Sequence, residues 1–415
     1  MSPKIAVVGG GASGLMAAGE AARLVGDVTL FEKNEKPGKK LAITGKGRCN
    51  VTNLCSLEEF MANVATNPKF LYSALDYFSP QDCMDFFEKL GVKLKIERGK
   101  RVFPASDNAF EIVDALKKFI GMNKVKLKYA KAEKLLIDAN KITGLFAGGQ
   151  KYDFDAVILC TGGMSYPKTG STGDGYKFAK AAGHNIIAPK ASLVPLEIKE
   201  KFCADLMGLS LKNITLCLYE NDKKVFFEMG EMLFTHFGIS GPLALSASSH
   251  IRDAENKSYR IKIDLKPALS EEQLDKRILS DFEKYKNKMF KNSLDELLPK
   301  KLIPVFLKIL ENFIDPEKKI NEITKAERSK LLGLFKDFSL SLKGFRPIDE
   351  AIITCGGVDT NEIYSNKMES KLVGGLYFAG EIIDVDAYTG GFNLQIAFST
   401  GKLAGKSAAR FQNLH

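Results

Sequence analysis

Residues 4–14 read KIAVVGGGASG, and the way that stretch is parsed decides the fold. Ile5 to Val8 run without a polar interruption into three glycines, and LMAAGEAARLV from Leu15 has the composition of a helix. VTLFEK at 28–33 then reads as a second strand, so the chain opens with a βαβ unit. Gly9-x-Gly11-x-x-Gly14 closes the first strand and opens the helix, and Glu32 ends the second strand. Glycines there permit a tight turn and let the backbone approach a pyrophosphate. The helix N-terminus offers N–H groups and partial positive charge, and an acid at the next strand end can hold a ribose hydroxyl. Gly9, Gly11, Ala12, Gly14 and Glu32 are therefore candidate dinucleotide contacts.

Outward from this unit, helical spacing is expected at 68–90 and 107–120, a β-meander at 124–147, and a buried strand in FDAVILCTGG. The texture changes near Pro189. Strand-like alternation dominates to about residue 265, and the chain then turns amphipathic and helical. Three helix starts have the form of a capping box, Ser270 with Gln273, Ser293 with Glu296 and Thr324 with Glu327. GGLYFAGE at 374–381 restores a buried strand, and a helix of small residues follows from Asn393 to Arg410. The expected organisation is an α/β domain in two parts, 1–190 and 346–415. Between them lies an inserted domain at 191–345, β-rich over 191–265 and helical over 266–345.

The spread of glycine-rich strand ends bears on which dinucleotide is held. A compact NAD-binding unit keeps its contacts together, whereas here Thr161-Gly162-Gly163 and Gly380-Glu381 repeat the pattern far downstream. That distribution suits FAD, a long cofactor reached by separate chain segments. Gly391, Phe392, Asn393 and Leu394 open the last helix, whose dipole would face the flavin N1 and C2 carbonyl, where reduced flavin bears negative charge. Ordinary turns and a glycine-started helix are the alternative reading of these residues.

Five segments together resemble one family: GKGRCNVTN at 45–53, GKRVFPASDNA at 99–109, LCTGGMSYPKTGSTGDGY at 159–176, FTHFGISGP at 234–242 and GLYFAGEIIDVDAYTGGFNLQIAFSTG at 375–401. The sequence resembles, along its whole length, the BaiN/RdsA-type family of NAD(P)/FAD-dependent oxidoreductases, also known as aminoacetone-oxidase-like flavoproteins. The resemblance implies a discontinuous Rossmann-like FAD domain of the glutathione-reductase type with an inserted β-barrel-like and helical domain. It implies that Ser13, Glu32, Lys33, Lys40, Arg48, Asn50, Glu381 and Asn393 belong to or border the FAD site. It also implies that Asp384 anchors ribityl hydroxyls and that Ala132 meets the adenine through its backbone. Departures from the family pattern are small: Lys39, Lys46, Cys160 and Phe392 stand where other residues are commoner.

Composition bounds the remaining possibilities. With 45% hydrophobic and 27% charged residues in 415, the chain is an ordinary globular protein long enough for two or three domains. No apolar run reaches transmembrane length, so a cytoplasmic protein without a membrane partner is expected. Seven cysteines with no CxxC, and only four histidines, argue against a disulfide framework and a stable metal site. The net charge of +10 is concentrated in Lys36 to Arg48 and Lys93 to Lys134, which suits an anionic cofactor and keeps RNA open as a partner beside a small-molecule substrate.

Two residues are candidates for catalysis. Arg48 and nearby lysines would lower the thiolate pKa of Cys49, although no resolving cysteine is in CxxC spacing, and a plain loop cysteine is the alternative. His236 would serve as a proton donor, with a packed structural histidine as the alternative. The leading expectation is reduction of an activated C=C bond, in a small molecule or an RNA uracil, with NAD(P)H as a transient electron donor. An amine or aminoketone oxidase that makes peroxide, and a flavin-bound RNA-binding protein without turnover, are the other expectations.

Overall fold

The computed structural model describes residues 2–251, 253, 254 and 256–411. The chain divides into two compact units, Met1–Ser192 with Pro347–His415, and Leu193–Arg346. Each has its own hydrophobic core.

The first unit is built on β1 (Ile5–Val8), α1 (Ala12–Val25) and β2 (Val28–Glu32). Helix α2 (Ala109–Met122) leads to β3 (Lys126–Tyr129), followed by β4 (Ala132–Asp138), β5 (Lys141–Ala147), β6 (Gln150–Asp153), β7 (Ala156–Leu159) and α3 (Asp174–Ala181). Every residue of β1, β2 and β7 is buried, which is why they read as unbroken apolar runs rather than alternating strands. Strands β3, β4 and β5 account for the segment expected as a meander, but β3 leaves it: it pairs in parallel with β2, while β4 and β5 form a separate antiparallel sheet with β6.

The second unit is a closed barrel of β8 (Leu196–Ile198), β9 (Ser210–Glu220), β10 (Lys223–Thr235), β11 (Gly238–Ser240), β12 (Tyr259–Asp264) and β13 (Phe338–Phe345), in the order β8-β11-β10-β9-β12-β13. Helices α4 (Glu271–Lys284), α5 (Ile303–Leu310) and α6 (Lys325–Lys336) lie between β12 and β13 in the chain. Phe306 of α5 stacks on Phe338 of β13, with ring centroids 5.7 Å apart, and packs against Phe335 of α6. These rings tie the helices to the barrel. The capping boxes at Ser270 and Thr324 form as expected. Ser293 does not cap a helix: its hydroxyl donates to Phe290 O at 2.8 Å, and Pro299 leaves too few residues before it for a helix to grow. The stretch read as helical to 345 also ends in a strand, β13, whose alternating Phe338, Leu340 and Leu342 face inward.

The chain then returns to the first unit with β14 (Leu376–Phe378) and α7 (Phe392–Ala409). The parallel core of its sheet runs β14-β7-β1-β2-β3 and is extended beyond β14 by two short strands, Glu369–Ser370 and Ile363–Tyr364. Helix α7 lies close along α1. A side chain at Gly401 or Gly405 would put Cβ 2.4 Å from Ser13 O or Ala17 O, so small residues there set the approach of the two backbones.

Candidate functional site

Because the core strands are parallel, the C-terminal ends of β1, β2, β7 and β14 share one edge of the sheet. The chain leaves β1 toward β2 on one side and takes up β7 on the other, so a crevice opens at the end of β1, where α/β sheets bind their ligands. Gly9 makes the turn there with φ +103°, and any Cβ on it would lie 2.5 Å from Cys160 O beyond β7. Gly14 meets the turn so tightly that a Cβ would lie 1.8 Å from Gly9 O. Gly11 is different: a Cβ there would meet no atom within 4 Å. It caps α1 with no side-chain hydrogen bond, and the first helical bond runs from Leu15 N to Gly11 O, which leaves the preceding N–H groups available to an anion.

Glu32 is 6% exposed and braces this turn. Its Oε2 accepts from Gly10 N at 2.7 Å, and its Oε1 accepts from the backbone and side-chain nitrogens of Asn34, both at 2.7 Å. Lys33 donates to Thr172 Oγ1 and Asp174 Oδ2, which folds the glycine-rich loop after β7 back onto the end of β2. Burial alone would raise the Asp174 carboxyl, but the hydrogen bonds from Lys33 and Thr172 outweigh it and hold the carboxyl below its ordinary value. Ala132 and Asp174 both line a cavity of about 750 Å³ between β4–β6 and α3.

Lys40 and Glu381, distant in sequence, form an ion pair of 2.6 Å. Lys40 also donates to Ser165 Oγ, and the other Glu381 oxygen accepts from Ser165 Oγ and Thr354 N, so the carboxylate has a full set of donors. Gly380 sits against Ser13: a Cβ would lie 2.5 Å from Ser13 Oγ. Its N–H donates to Thr400 Oγ1 of α7 at 3.0 Å. Gly162 packs near Ser171, and Thr161 Oγ1 is buried without a hydrogen-bond partner.

At the start of α7, Gly391 has φ +101°, and a Cβ there would lie 2.4 Å from Thr52 O and 2.9 Å from Asn50 Oδ1. Asn50 Oδ1 is itself buried without a partner. Asn393 clasps the preceding turn, accepting from Ala387 N at 3.0 Å and donating to Ala387 O at 2.7 Å. Phe392 packs edge-on against Phe60, and Leu394 is half-buried. Asp384 is held by Asn67, and burial pushes its carboxyl up. Asp386 is fully buried, with one oxygen accepting from Ser192 Oγ at 2.8 Å and the other without a partner.

The candidates for chemistry lie in other surroundings. Cys49 is fully buried with φ +58°, and burial pushes its thiol up to about 12, so it lacks the electropositive setting of a reactive thiolate. Arg48 points the other way, pairing with Glu97 and Asp107 over the Phe103 ring, and does not lower that thiol. His236 is exposed in the β10–β11 turn of the second unit, against Phe237 rather than packed in a core. Thr354 and Asn67, which position Glu381 and Asp384, carry no local sequence signal, because each acts across the chain.

A family model described as the HI0933-like protein Rossmann domain matches residues 3–407. The chain belongs to the HI0933-like family. It is 34% identical over 415 residues to the 3-dehydro-bile acid delta(4,6)-reductase of Clostridium scindens, covering 98% of this chain and 99% of that protein. It is 32% identical over 411 residues to the ribosomal RNA dihydrouridine synthase of Haemophilus influenzae, covering 97% and 98%. Among solved structures, the 3-ketosteroid delta1-dehydrogenase of Sterolibacterium denitrificans, in complex with 1,4-androstadiene-3,17-dione, shares the fold. Its TM-score is 0.54 at 13% identity, covering 99% of this chain and 100% of that one.

Like others of the HI0933-like family, the chain is an FAD-dependent oxidoreductase. Its residues fit that cofactor. The open space at Gly11 admits a pyrophosphate, and the unpartnered Thr161 and Asn50 atoms stand along the line from β7 to α7. No helix among the described residues is long and apolar enough to cross a membrane.

Proposed function

We propose that the protein saturates a C=C bond conjugated to a carbonyl group, with NAD(P)H as the source of electrons. One observation carries this reading: two relatives that match almost the whole chain bear names for different substrates but the same bond change. A dienone steroid and a uracil ring both present an alkene polarised by a carbonyl, to which a hydride adds at the β-carbon and a proton at the α-carbon.

FAD, when bound, supplies hydride transfer at N5. The chain's own part is to hold and orient. Gly9, Gly11, Ala12, Ser13 and Gly14 would seat the pyrophosphate, Glu32 and Lys33 the adenosine ribose, and Ala132 the adenine. Thr161, Gly162, Gly380, Lys40, Glu381 and Asp384 would border the ribityl chain. Asn50, Gly391, Phe392, Asn393 and Leu394 would meet the pyrimidine end, with Arg48 at the rim. The N–H groups at the start of α7 favour the charge that reduction places there. NAD(P)H would dock transiently, since the sequence has one GxGxxG turn, and a cytoplasmic supply of it suits this chemistry.

The test is anaerobic. Purified protein is mixed with NADPH or NADH, and the flavin spectrum is followed before and after a conjugated enone or a uridine-containing RNA is added. Bleaching by the nicotinamide and recovery on the alkene, with a product heavier by two hydrogens, is the expected result. Recovery only on oxygen, with stoichiometric peroxide, would overturn this reading, and bleaching by an amine or aminoketone in place of the nicotinamide would replace it with an amine oxidase.

A further inference from the structure

His184, in the turn after α3, touches none of the residues placed around the cofactor, yet both of its ring nitrogens are held. Its side chain is fully enclosed, and the ring lies edge-on to Phe378 of β14, with centroids 4.8 Å apart. Nε2 is 2.8 Å from Ser370 Oγ, and Nδ1 is 3.1 Å from Glu362 Oε2. Counting donors fixes which nitrogen carries the proton. Ser370 Oγ accepts from Leu372 N at 3.0 Å and from Val373 N at 2.9 Å, which fills both lone pairs of a hydroxyl. Its own O–H is left to donate to Nε2, so Nε2 is bare and the neutral ring donates its Nδ1–H to Glu362. A proton added at Nε2 meets a hydroxyl that has no room to accept it, and the clasp opens.

The clasp is continuous with the loop that follows β14. Asn185 N donates to Glu362 Oε2 at 2.8 Å and Asp359 N to Asn185 O at 3.1 Å, which seats residues 359–362 on the turn after α3. Val358, just before them, donates to Ile382 O at 2.9 Å and accepts from Asp384 N at 3.1 Å. The other charged groups on the segments around the ring are engaged elsewhere. Asp359 accepts from Asn361 N, Glu369 accepts from Gly375 N, and Lys371 donates to Asn361 O.

We infer that His184 is a positioning residue for the loop 381–384 and holds it only while its ring is neutral, so that acid loosens the grip on FAD. This rests on the placement of FAD along that loop, not on the reaction catalysed. Burial lowers the imidazole below its ordinary 6.5, and Glu362 offsets only part of that. The neutral clasp is therefore complete above 6.5 and is lost as pH falls from there through the lower folded value.

The experiment takes FAD-loaded protein from above 6.5 downward in pH. It reads free FAD by its fluorescence, and the exchange of the Leu372 and Val373 amides corrected for their intrinsic rates. In the wild type both should rise together below 6.5, by up to about tenfold for each unit of pH. Nitrogen-15 spectra of the neutral ring should show the proton on Nδ1. His184→Gln can accept from Ser370 and donate to Glu362 without titrating, so its FAD release should stay flat over the same range. Glu362→Gln removes the charge that favours the imidazolium, so its release should begin at lower pH than in the wild type. That variant decides the matter alone if His184→Gln does not fold. A flat wild type, a His184→Gln variant as acid-labile as the wild type, an unshifted Glu362→Gln variant, or a neutral ring protonated at Nε2 overturns the proposal. If the amides open in acid while FAD stays bound, the placement of FAD along 381–384 is what fails, and the proposal with it. Acid release that is equal in all three proteins keeps that placement and removes the role of His184.

Discussion

An added methyl at Gly11 would meet no atom, whereas at Gly9 it would sit 2.5 Å from Cys160 O on a backbone with φ +103°. The two substitutions therefore separate cofactor binding from folding. Gly11→Ala should keep the thermal midpoint but lose FAD, because its Cβ enters the space a pyrophosphate would take; Gly9→Ala should cost about 2 kcal/mol or more. Flavin absorbance per protein, set against a melting curve, checks both. Cys49 gives the contrary lesson. Its neighbours in sequence are basic, and the spacing invites a thiolate, yet its left-handed backbone turns the thiol inward while Arg48 turns out toward Glu97 and Asp107. Burial pushes the thiol up to about 12, so it stays protonated at pH 8. A thiol reagent should leave Cys49 unmodified in the native protein, and Cys49→Ser should keep both FAD and turnover. Loss of activity with FAD retained would restore Cys49 to the chemistry. The glycine motif was legible because its geometry is local. The Lys40–Glu381 pair was not, because 341 positions separate its partners and only the sheet brings them together.

Among elements, the helix pair α1 and α7 carries a buried charge that can be tested. Glu20 of α1 is 1% exposed and accepts from Arg23 and from Tyr77 Oη at 2.7 Å. Burial alone would raise its carboxyl, but the hydrogen bonds from Arg23 and Tyr77 and the charge of Lys402 outweigh it, so the folded value lies below the ordinary 4.5. A depressed folded value means that the stabilisation is complete above 4.5 and is lost as pH falls through the lower folded value. Glu20→Gln should destabilise the protein by about 2 kcal/mol at neutral pH and by less in acid. Denaturant melts of wild type and variant across that range would show the gap closing; a constant gap would contradict the assignment. Elements whose pattern is local were readable: the buried strands, the last helix, and the caps at Ser270 and Thr324. The false cap at Ser293 and the strand Phe338–Phe345 were not, because Pro299 and the closure of the barrel decide them from outside the pattern.

At the scale of the whole molecule, the first unit is assembled from two distant stretches of chain, and the strand ends proposed to hold FAD come from both. Recurring glycines at strand ends made that legible. The substrate was not legible, because relatives across the full chain act under names as unlike as a bile-acid reductase and an RNA-modifying enzyme. What they share is a bond, and the central claim is tested on that bond. The protein, reduced anaerobically with NADPH deuterated at the transferred position, is given a conjugated enone or a uridine-containing RNA, and the product is weighed. The account predicts a saturated product in which the β-carbon carries deuterium to the extent that the flavin has not exchanged it with water, formed as the reduced flavin is reoxidised without oxygen. The alkene recovered intact, with the flavin staying reduced until air is admitted and peroxide then forming, would contradict it.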